Sequence, residues 1–197
     1  MAILNTIEGG VCAAKGFFAD GIHIGLKKEG AKDLAFIYSE KPCAIASVFT
    51  TNKMTAAPIR HFRSLGEFEG NFVLINSKNA NAMTGRAGID DITEVLGELK
   101  SKFPQIQNPV MSSTGVIGVR LPKAKIIEGA MNFDLSHREG VNASEAIMTT
   151  DTFAKRIAYE IVLENGQSFR IGAMAKGAGM INPAMATMLC FITTDAA

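Results

Sequence analysis

Strands, then helices, then strands again: this order along the chain predicts a mixed α/β protein, of the α+β kind, with helices layered on sheets. Three observations carry the prediction. Leu34, Phe36 and Tyr38 alternate with Ala35 and Ile37 at period two, the pattern of a strand. Ile89, Ile92, Val95, Leu96, Leu99 and Phe103 recur at helical spacing. Tyr159–Leu163 and Ser168–Ala173 flank Asn165-Gly166, the strongest short-range hairpin signal.

Each element follows from local chemistry. The early chain reads as strands joined by turns. Ala46–Thr51, small and β-branched, is expected to pair with the strand around Leu34–Tyr38. Phe72-Val73-Leu74-Ile75 is a short apolar run, expected to be a strand covered on both faces. The first long helix follows, with Asp90 and Asp91 near its N-terminus and Pro104 stopping it. Gly97 weakens it slightly. A second helix is expected from Pro122, a favourable first-turn residue, burying Ile126, Ile127, Ala130 and Met131. A third is expected over Ser144–Met148. Met188–Thr193 closes the series as a mostly apolar strand, which points to a partner segment that completes the fold.

Composition narrows the function. The chain has 197 residues, 47% hydrophobic and 20% charged, the profile of an ordinary globular protein. Twenty Lys and Arg balance nineteen Asp and Glu, so no electrostatic footprint for nucleic acid or an anionic membrane is present. Three cysteines, Cys12, Cys43 and Cys190, argue against a disulfide framework and suit a reducing compartment. No apolar run approaches 18 residues, and Met-Ala-Ile-Leu-Asn carries neither the basic nor the apolar region of a secretory signal. A cytoplasmic protein is expected.

Metal chemistry is not expected. His23, His61 and His137 are scattered and none pairs at ligand spacing. Lys176-Gly177-Ala178-Gly179 reverses the order a phosphate-binding loop needs, and Gly115-Val116-Ile117-Gly118 lacks the third glycine of a dinucleotide fingerprint. Ser112-Ser113-Thr114-Gly115 sits between apolar runs, where exposed N–H groups and hydroxyls can hold an oxyanion. A plain strand-to-helix turn accounts for the same local pattern. Asn76-Ser77-Lys78-Asn79-Ala80-Asn81-Ala82 offers side-chain amides that hold a loop together or, less commonly, bind a polar ligand.

Asn182–Leu189 is the most informative stretch. Thr187 follows a small residue, Ala186, at the junction of a turn-rich segment and an apolar strand. A hydroxyl there can attack its own preceding carbonyl, and hydrolysis of the resulting ester frees Thr187 as a new N-terminus. Its α-amine, with a pKa of about 7.7–8.0, can then act as its own general base. A threonine that simply begins a strand fits the same spacing.

The chain resembles the N-terminal, or α, half of the glutamate N-acetyltransferase / ornithine acetyltransferase family of arginine biosynthesis. The resemblance spans nearly all 197 residues. It is carried by Gly9-Gly10-Val11, Lys15-Gly16-Phe17, Ala46–Asn52, Asn76-Ser77, Asn79–Ala82 and Thr84-Gly85. Further along, Ser113–Gly118, Met148–Thr152, Lys176–Ile181 and Met185–Leu189 continue it in order.

The resemblance implies a self-processing fold, with residues 1–186 as an α chain and 187–197 as the start of a β chain. It implies cleavage at Ala186-Thr187 and a ping-pong transfer of acetyl from N-acetylornithine through Thr187 to glutamate, without a cofactor. Acetyl-CoA serves some members as donor. Thr114 and Gly115 match the oxyanion-hole pair, and Thr150 and Lys176 match substrate-binding positions, where Lys176 can meet an α-carboxylate. The implied partner is the β chain, in an α2β2 assembly. Lys78, Met83 and Asn182 depart from the family, which more often shows Gly, Cys, and His or Glu there. A self-processing Thr- or Ser-nucleophile amidase or aminopeptidase is the alternative, as is an inactive fragment.

Overall fold

The computed structural model describes residues 2–28, 30–177 and 188–196. Two four-stranded sheets organise them. The first sheet has the order β2-β3-β4-β5, made of Phe17–Ile22, Leu34–Ala44, Glu69–Asn76 and Val110–Ser113. The second has the order β1-β6-β7-β8, made of Ile3–Thr6, Lys155–Val162, Ser168–Lys176 and Leu189–Thr194. The helices are α1 (Ala57–Ser64), α2 (Gly85–Lys102), α3 (Lys123–Ala130) and α4 (Gly140–Ala146). The expected α+β architecture of sheets and layered helices is what forms.

Two cores follow from the two faces of the first sheet. Leu34, Phe36, Tyr38, Phe72, Leu74 and Met111 point to one side, against Ala57 of α1, Ile92, Val95, Leu96 and Leu99 of α2, and Ile126 and Ala130 of α3. Ala35, Ile37 and Ile75 point to the other, against Ala143, Ala146 and Ile147 of the α4 segment, Val11 and Cys12, and Met174 of β7. That second core fastens the two sheets together. Gly172 in β7 makes the approach possible: a Cβ there would lie 1.9 Å from the carbonyl oxygen of Gly10. Thr193 of β8 donates from its hydroxyl to Val11 O at 2.8 Å on the same face.

Several expectations hold. α2 buries the predicted apolar stripe and ends at Lys102, two residues before Pro104. β6 and β7 pair antiparallel around the Asn165-Gly166 turn. Only Gly166 takes a positive φ there, so the connection is a longer turn and not the two-residue kind.

Other expectations are corrected. Residues 46–51 form no strand; the antiparallel neighbours of β3 are β2 and β4. Asn52 accepts from the Met54 N–H at 2.9 Å and Thr50 from the Asn52 N–H at 3.2 Å, local bonds that compete with a ladder. Phe49 stacks edge-on against Phe62 of α1 instead. β2 carries little local signal because Ala19-Asp20-Gly21 are weak strand formers; Asp20 is buried there and accepts from Gly21 N, Asn142 Nδ2 and the His137 ring.

The third helix begins at Gly140 and ends at Ala146, earlier than expected. Its low-propensity start is overridden by packing, since Gly21 lies so close that a Cβ would meet Asn142 O at 2.2 Å. Asp91 lies in the second turn of α2, buried, and accepts both ends of the Arg120 guanidinium at 2.9 and 2.8 Å. Pro122 stands just before α3 and not inside it.

Candidate active site

β4 and β5 run parallel, with Asn76 opposite Ser113 at their carboxyl ends. Ligand sites in such sheets form where parallel strands end. Thr114 and Gly115 follow β5 directly. The Thr114 N–H donates to Asn76 O at 3.0 Å, so the amide is spent and the hydroxyl is what this residue offers. Gly115 has φ 135°, and a Cβ there would sit 2.2 Å from the carbonyl carbon of Lys78. No other residue type fits this turn.

The asparagine-rich loop after β4 is the floor on which the turn rests. Asn76 Nδ2 donates to Asn79 O at 2.9 Å. Asn79 Nδ2 donates to Val119 O and Arg120 O, each at 3.1 Å. Asn81 Nδ2 donates to Gly88 O at 2.9 Å, and the Thr84 hydroxyl donates to Asn81 Oδ1 at 2.8 Å. Loop-holding is therefore the work of these amides. Lys78 and Met83 both adopt positive φ, 78° and 59°, conformations in which glycine is at ease. Beneath the turn, Asn76 Oδ1 and Ser113 Oγ are buried without a hydrogen-bond partner among the described residues.

Lys176 closes the site from the second sheet. It is the last residue of β7, on the face turned toward the first sheet, and only 5% exposed. Its Nζ donates to Thr114 Oγ1 at 3.0 Å; Thr114 is 7% exposed. Burial pushes the Lys176 ammonium below the usual lysine value, Asp151 opposes that, and Lys155 adds to it. A threonine oxygen that accepts from an ammonium keeps its own hydrogen for another acceptor.

Thr150 is exposed on the bend after α4. It is tied to the site through its neighbour. Asp151 accepts from Lys155 Nζ at 2.7 Å, from the Gly177 N–H at 2.8 Å and from the Thr149 N–H at 3.2 Å. Burial works against its charge, yet Lys155 and the two N–H groups prevail and hold the carboxyl at about 2. Lys27 stands nearby, donating to Lys32 O at 2.6 Å and Ala146 O at 3.1 Å. Burial lowers it to about 8, against the pull of Asp33 and Asp151 and with help from Lys78 and Lys176. Asp151 lies inside the Met148–Thr152 motif, which gives it no role of its own; Lys27 has no local signal at all. Thr187, Ala186 and Asn182 lie outside the described residues, so the nucleophile and cleavage expectations do too.

Two sheets with layered helices, joined at one end by a lysine–threonine contact, place this chain in a class of architecture already seen in solved proteins. The chain belongs to the ArgJ family, whose profile matches residues 18–197. It is 62% identical over 194 residues to the arginine biosynthesis bifunctional protein ArgJ of Wolinella succinogenes, covering 98% of this chain and 49% of that protein. It is 46% identical to the Dehalococcoides mccartyi protein of the same name, over 96% of this chain and 47% of the relative. The chain thus spans about half the length of these curated relatives.

Solved chains are covered more fully. The crystal structure of ArgJ from Bacillus halodurans superposes with a TM-score of 0.85 at 37% identity, covering 96% of this chain and 100% of that one. The ornithine acetyltransferase of Mycobacterium tuberculosis, solved in complex with ornithine, superposes with a TM-score of 0.78 at 34% identity, over 92% and 98%. Among the described residues, no helix is long and apolar enough to cross a membrane.

Proposed function

We propose that this chain is the α half of an acyltransferase that moves acetyl from N-acetylornithine to glutamate in arginine biosynthesis, in the cytoplasm, and that it works with a second polypeptide as α2β2. The observation that carries the reading is the 3.0 Å contact from Lys176 Nζ to Thr114 Oγ1, eleven positions before Thr187. It leaves the Thr114 hydroxyl hydrogen to donate elsewhere.

The proposed chemistry balances as follows. Thr187 Oγ attacks the Ala186 carbonyl carbon, the peptide C–N bond breaks to leave an Ala186 ester and the free Thr187 amine, and water hydrolyses that ester to the Ala186 carboxylate and the Thr187 hydroxyl. Thr187 Oγ then attacks the acetyl carbonyl of N-acetylornithine while its own amine takes the hydroxyl proton. The tetrahedral oxyanion accepts from the Thr114 hydroxyl and the Gly115 N–H. The C–N bond breaks and ornithine leaves with the proton; the glutamate amine then attacks the acetyl-Thr187 ester, the C–Oγ bond breaks, and N-acetylglutamate leaves as the proton lost by the amine returns to Thr187 Oγ. Thr150 and Lys176 receive the amino-acid substrate, Lys176 through its α-carboxylate. Acetyl-CoA is a second donor to be tried.

The partner reading has its own support. Register places Leu4, Ile157, Tyr159, Ile161, Phe169, Ile171 and Ile192 on the outer face of the second sheet. Leu4 is 61% exposed, Ile157 47% and Ile192 68%. An apolar sheet face of this kind needs a cover. The half-length match to the relatives supports the polypeptide corresponding to their second half as its occupant.

The test is co-expression with the C-terminal half of the Wolinella succinogenes relative. N-acetylglutamate formed from N-acetylornithine and glutamate, with acetyl trapped on Thr187 by mass spectrometry, is the expected result. Peptide hydrolysis without acetyl transfer would favour an amidase instead, and transfer by the 197-residue chain alone would remove the need for a partner.

A further inference from the structure

We propose that Asp151 is a positioning residue of this site: its carboxylate pins the exit of β7 and holds the Lys176 ammonium on Thr114. The inference rests on the acetyl-transfer reading, and it adds a group to which that reading gives no part.

Three elements converge on this one carboxylate. Its side chain has no exposure. Oδ1 accepts from Lys155, the first residue of β6, and from the N–H of Gly177, the first residue past β7. Oδ2 accepts from the N–H of Thr149, on the bend that carries Thr150. The β6–β7 ladder ends at the Lys155–Ala175 pair, so nothing from β6 pairs with residues 176 and 177. The Asp151–Gly177 bond takes over at that point. Lys176 itself still pairs with Leu189 of β8, and the Asp151–Gly177 bond fixes the chain immediately past it, on the side that β6 no longer covers.

Charge gives Asp151 a second task. The charged groups acting on this corner are Lys27 and Asp33 from the segment between β2 and β3, Lys78 after β4, Lys155 on β6 and Lys176 on β7. Four are cationic. Burial and Lys155 both disfavour the Lys176 ammonium, and Asp151 is the anion that opposes them. A neutral amide in the same place could still accept from Gly177 and Lys155. It would bring no charge to oppose burial and Lys155 at Lys176. Shape and charge are therefore separable by experiment.

The test compares Asp151→Asn with wild type in the assembled enzyme, co-expressed with the C-terminal half of the Wolinella succinogenes relative. Acetyl transfer is followed across the alkaline range, together with the thermal midpoint. We expect the alkaline limb to move to lower pH by about one unit, a loss of about tenfold on that limb, with near-wild-type turnover near neutrality. Lys155→Met removes the opposing cation, and its limb is expected to move the other way. A loss uniform across pH that tracks the fall in thermal midpoint would make Asp151 a scaffold residue and overturn the proposal. So would an unchanged profile.

Titration of the Lys176 ammonium by 15N-lysine NMR in the same assembly gives a readout that needs no activity. A lowered value in Asp151→Asn supports the proposal, and an unmoved one overturns it. If the wild-type assembly transfers no acetyl at all, the functional reading fails while this titration still decides the role of Asp151.

Discussion

Lys176 Nζ lies 3.0 Å from Thr114 Oγ1, across 62 positions of sequence and between two different sheets. Neither residue could reach the other without the buried layer of Val11, Cys12, Ala143, Ala146, Ile147 and Met174 that clamps the sheets together. The contact therefore depends on the whole fold. It also has a chemical direction, because lysine can only donate here and threonine must accept. What remains to the threonine is one hydrogen, which in the proposed reading serves an oxyanion.

Removing that hydrogen should cost catalysis and little stability. Thr114→Ala is expected to lower acetyl transfer by about 100-fold or more, as the loss of an oxyanion donor does elsewhere. The main-chain bond from the residue 114 N–H to Asn76 O is kept, so the circular-dichroism melt should stay close to wild type. Thr114→Ser restores the hydroxyl and should recover most of the rate. An unchanged rate in the alanine variant would take Thr114 out of the oxyanion hole.

Gly115 makes the opposite prediction. Its φ of 135° and the 2.2 Å approach to the Lys78 carbonyl carbon leave no room for a methyl group. Gly115→Ala is expected to destabilise the fold by roughly 3 kcal/mol, the combined effect of backbone strain and a forced shift. Chemical denaturation measures it. A variant as stable as wild type would show that the turn can open without strain.

The sequence makes the periodic parts legible and hides the parts set by distant packing. α2 shows its apolar stripe because one face meets a continuous sheet. Phe72–Ile75 reads as a covered strand because both faces are in fact covered. The strand Phe17–Ile22 stays hidden: its Asp20-Gly21 centre is tolerated only because His137, Asn142 and the close-packed start of α4 complete it. The same division applies to the site. Thr114, Gly115 and Lys176 are legible through motifs, and the fold brings them together. Asp151 and Lys27 act through hydrogen bonds to segments far away in sequence, which no local pattern reports.

Lys176 should impose a limit on activity at high pH. Burial lowers its value below the ordinary 10.5, with Asp151 opposing and Lys155 assisting. The protonated form is the one that donates to Thr114, so activity is present below the lowered value and is lost as pH rises through it. A rate profile falling below pH 10.5 is expected. Lys176→Met should abolish that limb along with most of the rate. Lys176→Arg should not restore it, because a planar guanidinium does not fit a site built for one ammonium.

His137 should make stability depend on pH. Its ring meets Asp20 at 2.8 Å, and that bond raises the imidazole above its usual 6.5, against a smaller effect of burial and with help from Asp134 and Glu139. A raised folded value means the contribution is fully present below the unfolded value of 6.5 and is lost as pH rises through the folded one. The thermal midpoint should fall over that window. His137→Asn should flatten the dependence, and a wild-type midpoint constant from about pH 6 to about pH 8 would show that the tie contributes nothing.

Thr187 carries the last prediction, and intact mass decides it. In the proposed reading one hydroxyl performs two acyl attacks, first on its own chain and then on the substrate. Thr187→Ala lacks both, so the co-expressed variant should keep the peptide bond between positions 186 and 187 whole and form no acetyl-enzyme. Thr187→Ser keeps a hydroxyl and should still cleave, more slowly than wild type. A denaturing mass measurement separates the cut and uncut chains by the loss of everything from residue 187 onward. Cleavage in the alanine variant would mean that another group attacks the peptide, and the single-nucleophile scheme would have to be abandoned.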